Sequence, residues 1–137
     1  METLKAKMKS LTKSFGEDES TVLNYNGQEC ILINNQNRKF VFENEDGKMF
    51  VFISSNPNSI KEIFNDTEIE IKFDVLDLGK LKMTKKIGNQ KMSVIFNIRK
   101  EKFIVEDNKI HIKYKILDDN SSSYLSEVEV LIETGGN

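Results

Sequence analysis

Hydrophobic and polar residues alternate with a period of two over much of the chain. The alternation is clearest in "EIEIKFDV" (68–75) and recurs in "GKLKMTKKI", "KIHIKYKI" and "YLSEVEVLIE". Successive side chains of a strand point to opposite faces, whereas helical spacing would scatter these apolar residues around a cylinder. The pattern therefore predicts strands with one dry and one wet face. The predicted dry faces carry Ile69, Ile71, Phe73 and Val75; Leu81, Met83, Lys85 and Ile87; Ile110, Ile112, Tyr114 and Ile116; and Val128, Val130 and Ile132.

Short turn signals separate these runs, among them "NEDGK", "DLGK", "IGNQK" and "EDNK". Glycine, asparagine and aspartate suit tight turns, and loops this short join antiparallel neighbours. A meander of many strands buries its exposed edges by closing on itself. We therefore predict an all-β fold, an antiparallel up-and-down closed barrel of about eight to ten strands. The length of 137 residues and the absence of a linker favour a single domain over residues 1–137.

The segment "SNPNSIKEIFND" allows two interpretations. Ser59 with Glu62 three positions later fits a helix capping box after Pro57, which would give a helix of about two turns. Taken alone, the segment reads as that helix, and whether Ser59–Asn65 is a strand or a short helix is left open at this point.

Composition limits the classes of partner. The chain has 20 Lys and Arg against 22 Asp and Glu, for a net charge of -2, so no basic field favours nucleic acid. No run approaches the length of a membrane span, and the N-terminus lacks the apolar run of a signal peptide. We expect a cytoplasmic protein with no membrane partner. Its one cysteine, Cys30, excludes an intrachain disulfide and reads as a small buried hydrophobe.

The chain offers little catalytic chemistry. His111 is the single histidine and shares its strand face with Lys109, Lys113 and Lys115, so we expect it to face solvent without a functional partner. With one histidine and one cysteine, the sequence predicts no metal site and no cofactor.

Three residues are candidates for a ligand-binding pocket. Lys85 falls in apolar register, where the ammonium would need an anion or would reach solvent at a barrel mouth. Tyr114 is also in apolar register, and a buried phenol needs a hydrogen-bond partner. Arg99 ends "MSVIFNIRK", a run that is apolar on both faces over part of its length and so predicts a central or covered strand.

Two stretches carry a resemblance to a known family. The run from Ser55 through Ile63 and Phe64 to the hairpin at Gly79, and the closing "NKIHIKYKILDDNSSSYLSEVEVLIE", are similar to the uncharacterised bacterial YwiB-like proteins. The resemblance implies a calycin-like, lipocalin-resembling barrel and a strand at "SIKEIF", which we adopt. The chain departs from the family at Ser54 and Asn56, where an arginine and a glycine are usual, which puts an anion role for that turn in doubt.

The leading functional hypothesis is a non-enzymatic barrel that binds a small apolar or amphipathic ligand, by analogy with calycins. One alternative is an enzyme that acts on a small anionic metabolite at the barrel mouth, with Lys85 or Arg99 holding the charge. Another is a structural or oligomerising scaffold whose barrel is filled by side chains. The sequence does not determine the oligomeric state, and the interior volume of the barrel distinguishes the first hypothesis from the last.

Overall fold

Ten antiparallel strands make up the computed structural model, which describes residues 3–30, 37–55, 58–74, 76–118 and 123–135. No helix occurs within these ranges, and accordingly none is long and apolar enough to cross a membrane. The strands are β1 (Thr3–Ser14), β2 (Thr21–Cys30), β3 (Asn37–Asn44), β4 (Gly47–Ser55), β5 (Asn58–Phe64), β6 (Thr67–Phe73), β7 (Leu78–Ile87), β8 (Gln90–Val105), β9 (Lys109–Leu117) and β10 (Tyr124–Thr134).

Each strand pairs with the next along the chain, and β10 closes the barrel by pairing with β1, where Ile132 lies opposite Met8. The prediction of an all-β, up-and-down closed barrel is therefore confirmed. We call the end at which β1 finishes the upper end of the barrel. Strands β3, β5, β7 and β9 also end there, and the even-numbered strands begin there.

The disputed segment is a strand. Within β5, Ile60 lies opposite Ile53 of β4 and Ile71 of β6, and all three are buried. Asn65 has a φ of 53° and begins the turn to β6, so the strand ends one residue earlier. The helix interpretation is wrong because β5 gains ladder hydrogen bonds and buried contacts on both sides, which outweigh a local cap.

The apolar side chains of alternate positions meet inside the barrel, as the period-two pattern predicts. Ile71, Phe73, Ile110, Ile112 and Ile132 are each at most 4% exposed. The outward positions of the same strands carry charges that pair across the ladder, for example Lys61 with Glu68 at 2.9 Å. Val75, which the pattern also assigned to the interior, lies outside the described residues.

The alternation of inward and outward residues shifts by one position within β8. β8 carries a bulge between Lys100 and Lys102 in its pairing with β9. Ile98 before the bulge and Phe103 after it therefore both pack into the core, although they are an odd number of residues apart.

A buried ion pair closes the lower end. Arg38 of β3 donates to both carboxylate oxygens of Glu29 on β2, at 2.7 Å each. The same guanidinium reaches across the barrel and donates to the backbone carbonyls of Glu106, at 2.6 Å, and Asp107, at 3.0 Å. It also lies over the ring of Phe40, 5.5 Å from its centroid. Arg38 thus ties β2 and β3 to the β8–β9 turn through a partly buried ion pair and two exposed hydrogen bonds.

Candidate ligand-binding site

On several strands the inward residues near the upper end are more exposed than those below them. The change is not uniform, since Phe42 and Met49 are buried near the upper end and Phe103 and Val105 are partly exposed near the lower end. On β9, Ile112 is fully buried, whereas Ile116, four residues higher on the same inward face, is partly exposed. The same change occurs on β2, where Leu23 above Tyr25 is 42% exposed. A barrel of ten strands is wider than one whose side chains just fill the interior. We call the partly exposed inward residues of the upper half the upper basin: Leu23, Phe64, Ile69, Met83, Phe96, Ile116 and Val128.

A single carboxylic acid faces the bottom of the upper basin. Glu62 lies on the inward face of β5 between Ile60, which is buried, and Phe64, which belongs to the basin. Across the ladder it is opposite Val51 and Ile69, both apolar. Burial raises the pKa of Glu62 to about 7, and no neighbouring cation or hydrogen bond offsets that effect among the described residues. The carboxyl is therefore enclosed by the barrel wall yet remains reachable from the open mouth.

Two inward tyrosines lie close enough to Glu62 for its charge to act on their phenols. Tyr25 and Tyr114 are both buried inward residues, and the charge of Glu62 contributes to raising the pKa of each phenol. Burial is the larger cause in both cases, and a hydrogen bond with Asn44 partly opposes it at Tyr25. Both phenols therefore stay protonated at neutral pH and can donate as well as accept hydrogen bonds. We call Glu62, Tyr25 and Tyr114 the polar floor of the upper basin.

The three residues that the sequence nominated for a pocket occupy different places. Tyr114 is part of the polar floor, with its ring 6.1 Å from that of Phe73. Lys85 is exposed at the upper end of β7, opposite Thr67 and Met92, and so lies at the rim of the basin. Arg99 is exposed on the outer wall, opposite Leu78 and Lys115. The structure therefore does not bring Lys85 and Arg99 together.

The strand that ends in Arg99 is less covered than its apolar sequence predicts. On β8, Val94 is 51% exposed on the inward side and Ile95 is 60% exposed on the outward side. Both precede the point at which β9 begins to pair with β8, at Ile98. The upper part of β8 thus pairs with β7 alone among the described strands.

His111 faces outward, opposite Ile104 and Leu131, as the alternation predicts. It nevertheless has a partner that sequence reasoning missed, since its Nε2 hydrogen-bonds to a carboxylate oxygen of Glu129. Glu129 lies one diagonal step away on β10, a relation that depends on the β9–β10 register. The contacts of His111 described above are all on the outer face of the barrel, away from the upper basin. In the part of the chain that the structure describes, no three His, Cys, Asp or Glu side chains come together to hold a metal ion.

Sequence reasoning also missed the inward glutamates and misplaced the cysteine. Glu62 read as a helix cap, although its spacing between Ile60 and Phe64 follows the period-two pattern of an inward residue. Glu29 gave no signal, because its partner Arg38 becomes apparent only once β2 and β3 are in register. Cys30, predicted as a buried hydrophobe, is only partly buried, because it takes the outward position next to the inward Glu29.

A second concave region lies on the outside of the barrel. It has a volume of ≈ 760 Å³ and is open to solvent between β1, β2, β10 and the β8–β9 turn. Its walls are largely charged and exposed, with Lys5, Lys7, Lys109 and Glu133 contributing. The upper basin differs from this outer region, because its lining residues are apolar and the one carboxyl near them, that of Glu62, has no counterion among the described residues.

The fold is that of a closed ten-stranded antiparallel β-barrel. No protein-family model matches the chain, and no curated protein matches it. Among solved structures, it is similar to the crystal structure of the ywiB protein from Bacillus subtilis, with 12% sequence identity and a TM-score of 0.46. The match covers 98% of this chain and 92% of that chain. A likeness of this degree carries no argument about a ligand or an activity.

Proposed function

We propose that this protein binds a small amphipathic ligand in the upper basin without catalysing a reaction on it. The observation that carries the proposal is a contrast on single strands: the inward residues Leu23 and Ile116 stay partly exposed, while Tyr25 and Ile112 below them on the same strands are buried. Covering apolar surface is favourable by roughly 25 cal/mol per Å². An open apolar concavity with few polar groups at its base is typical of small-molecule sites.

The depth of the site follows from the packing beneath it. Ile60 and Ile112, which lie directly below Glu62 and Tyr114 on their strands, are at most 2% exposed. A ligand can therefore descend to the polar floor and no further. Its apolar body would contact the upper basin, and its polar group would meet the floor.

The proposal also covers the type of barrel and the cellular location of the protein. The resemblance of the turn at Ser55 and of the closing hairpin supports a YwiB-like, calycin-type barrel from a bacterium, acting in the cytoplasm. An enzyme for an anionic metabolite is less well supported, because Lys85 and Arg99 lie at the rim and on the outer wall. A scaffold with a filled barrel is less well supported because inward residues near the upper end, such as Leu23 and Met83, stay exposed.

The test uses a neutral fluorescent probe, N-phenyl-1-naphthylamine, whose emission rises in apolar surroundings. We expect the unmodified protein to bind it saturably. Ile69→Trp, which adds bulk directly opposite Glu62, should abolish the signal because it fills the basin. Ile104→Trp is the matched control, since Ile104 is 42% exposed on the outer face of β8.

Two results would contradict the proposal. One is a failure of the unmodified protein to bind the probe. The other is equal loss of binding in both tryptophan variants, which would place the probe outside the basin. Circular dichroism of each variant checks that the barrel is intact.

A further inference from the structure

Resting on the proposed function, we infer that the ligand carries a protonated amine, which pairs with Glu62 at the polar floor while its apolar body occupies the upper basin. The starting point is a count of charges that face the inside of the barrel. Glu29 and Arg38 neutralise each other at 2.7 Å. Lys100, which faces inward at the β8 bulge opposite Tyr114, pairs with Asp77 at 3.2 Å. Among the described interior residues below the rim, Glu62 is the charge that lacks a counterion.

An isolated carboxylate in such surroundings is costly. Water that would solvate it is partly excluded, and the peptide wall supplies apolar neighbours at Val51 and Ile69. A group of this kind either stays protonated or gains a cation. A ligand ammonium would supply that cation without any rearrangement of the barrel.

The neighbours of Glu62 also suit an ammonium group. An ammonium has three N–H donors and no acceptor. The Glu62 carboxylate accepts one donor, and a neutral phenol near it, that of Tyr25 or of Tyr114, can accept another.

Other polar groups fit this floor less well. A ligand carboxylate would place two acids together in a poorly solvated site, where only one can ionise readily. A ligand hydroxyl would donate one hydrogen bond but leave the charge of Glu62 without compensation. The geometry thus favours an amine over an acid or an alcohol of equal length.

The experiment compares three ligands with the same eight-carbon body: octylamine, 1-octanol and octanoate. Their affinities are measured by displacement of N-phenyl-1-naphthylamine from the intact protein, from Glu62→Gln and from Glu68→Gln. Glu68→Gln is the matched control, because Glu68 is exposed to solvent on its outer strand face and pairs with Lys61. We expect octylamine to bind the unmodified protein at least about tenfold more tightly than 1-octanol. Glu62→Gln should abolish this preference, and Glu68→Gln should preserve it.

The outcomes separate the two proposals. If the probe and 1-octanol bind but octylamine has no advantage, or if Glu62→Gln leaves its advantage intact, the amine inference is overturned and the binding function stands. If octanoate binds most tightly, the assignment of charge is wrong. If neither the probe nor any of the three ligands binds, the proposed function itself fails.

Discussion

The lower and upper halves of this barrel are built from the same alternating strands, yet on several of these strands the inward residues differ in how far they are buried. On β9, Ile112 is fully buried and Ile116 is partly exposed, although both face inward. On β5, the buried Ile60 and the partly exposed Phe64 differ in the same way. Inward register alone therefore does not make a core. On these two strands the lower residues contribute buried apolar surface, and the upper residues leave part of theirs exposed.

The two inward glutamates also differ between the halves, since one has a cationic partner and the other does not. Glu29 in the lower half accepts two hydrogen bonds from Arg38 at 2.7 Å each. Glu62, at the boundary with the upper half, has no such partner, and burial raises its pKa to about 7. A buried charge that is fully paired is compatible with a stable fold. A buried charge without a partner lowers stability, and such a residue is a candidate for a functional role.

The largest effect is expected from breaking the lower closure. Arg38→Met should lower the free energy of unfolding by about 3 to 5 kcal/mol, because it leaves Glu29 buried and unpaired. Urea unfolding measures the loss. The double variant Glu29→Leu with Arg38→Met should recover most of it, since both charges are then removed. A loss below about 1 kcal/mol in the single variant would show that the pair does not close the barrel.

The next effect compares one substitution at two heights of the same strand. Ile112→Ala should cost about 2 to 5 kcal/mol, because it opens a cavity in a packed region. Ile116→Ala should cost less than about 1.5 kcal/mol, since the side chain is partly exposed and leaves no enclosed void. Denaturant unfolding of both variants under one condition gives the difference. Equal losses would contradict the division of the interior into packed and open halves.

A third prediction concerns the pH dependence of Glu62. Its pKa in the folded protein, about 7, lies above its ordinary value of 4.5, so folding favours the protonated form. Below pH 4.5 the acid is protonated whether folded or unfolded, and Glu62→Gln should be as stable as the unmodified protein. Above pH 7 the folded protein must hold a carboxylate, so Glu62→Gln should be more stable, by up to about 3 kcal/mol.

Unfolding in urea at pH 4, 6 and 8 tests this prediction. Tyr25 and Tyr114, which face Glu62, have pKa values raised above 10.0 and do not titrate in this range. A stability difference that stays constant from pH 4 to pH 8 would mean that Glu62 ionises as freely as an exposed carboxyl.

The smallest effect is expected on the outer wall. His111→Gln should change stability by no more than about 0.5 kcal/mol, because the glutamine amide can still donate to Glu129 at this surface position. Probe binding in the upper basin should not change. If the melting temperature falls as far as in Ile112→Ala, the inward and outward faces of β9 have been assigned the wrong way round.

The architecture could be predicted because alternation is a local signal. Ile71, Ile112 and Val130 face inward as their spacing requires, and Lys109 and Lys113 face outward with His111. The class of fold followed from the number of such runs and the shortness of the turns. For β5, the residues alone left a helix open, and the family resemblance favoured the strand.

The candidate site could be predicted only in part, because it depends on relations between strands. Tyr114 was nominated from its register, but Glu62, whose charge contributes to raising its pKa, comes from a strand far away in sequence. The pairing of Arg38 with Glu29 requires the β2–β3 register, which alternation does not supply. The openness of the upper half depends on the width of a ten-stranded barrel, which no single strand encodes.

The most direct test of the two-halves account is a methyl NMR titration of the intact protein with octylamine. The isoleucine and methionine methyl groups report on both halves of the interior at once. The account predicts saturable shifts at Ile69, Ile116 and Met83 in the upper basin, and little change at Ile53, Ile110 and Ile132 in the packed half. Shifts of equal size in both sets, or shifts confined to the outward-facing Ile95 and Ile104, would contradict it.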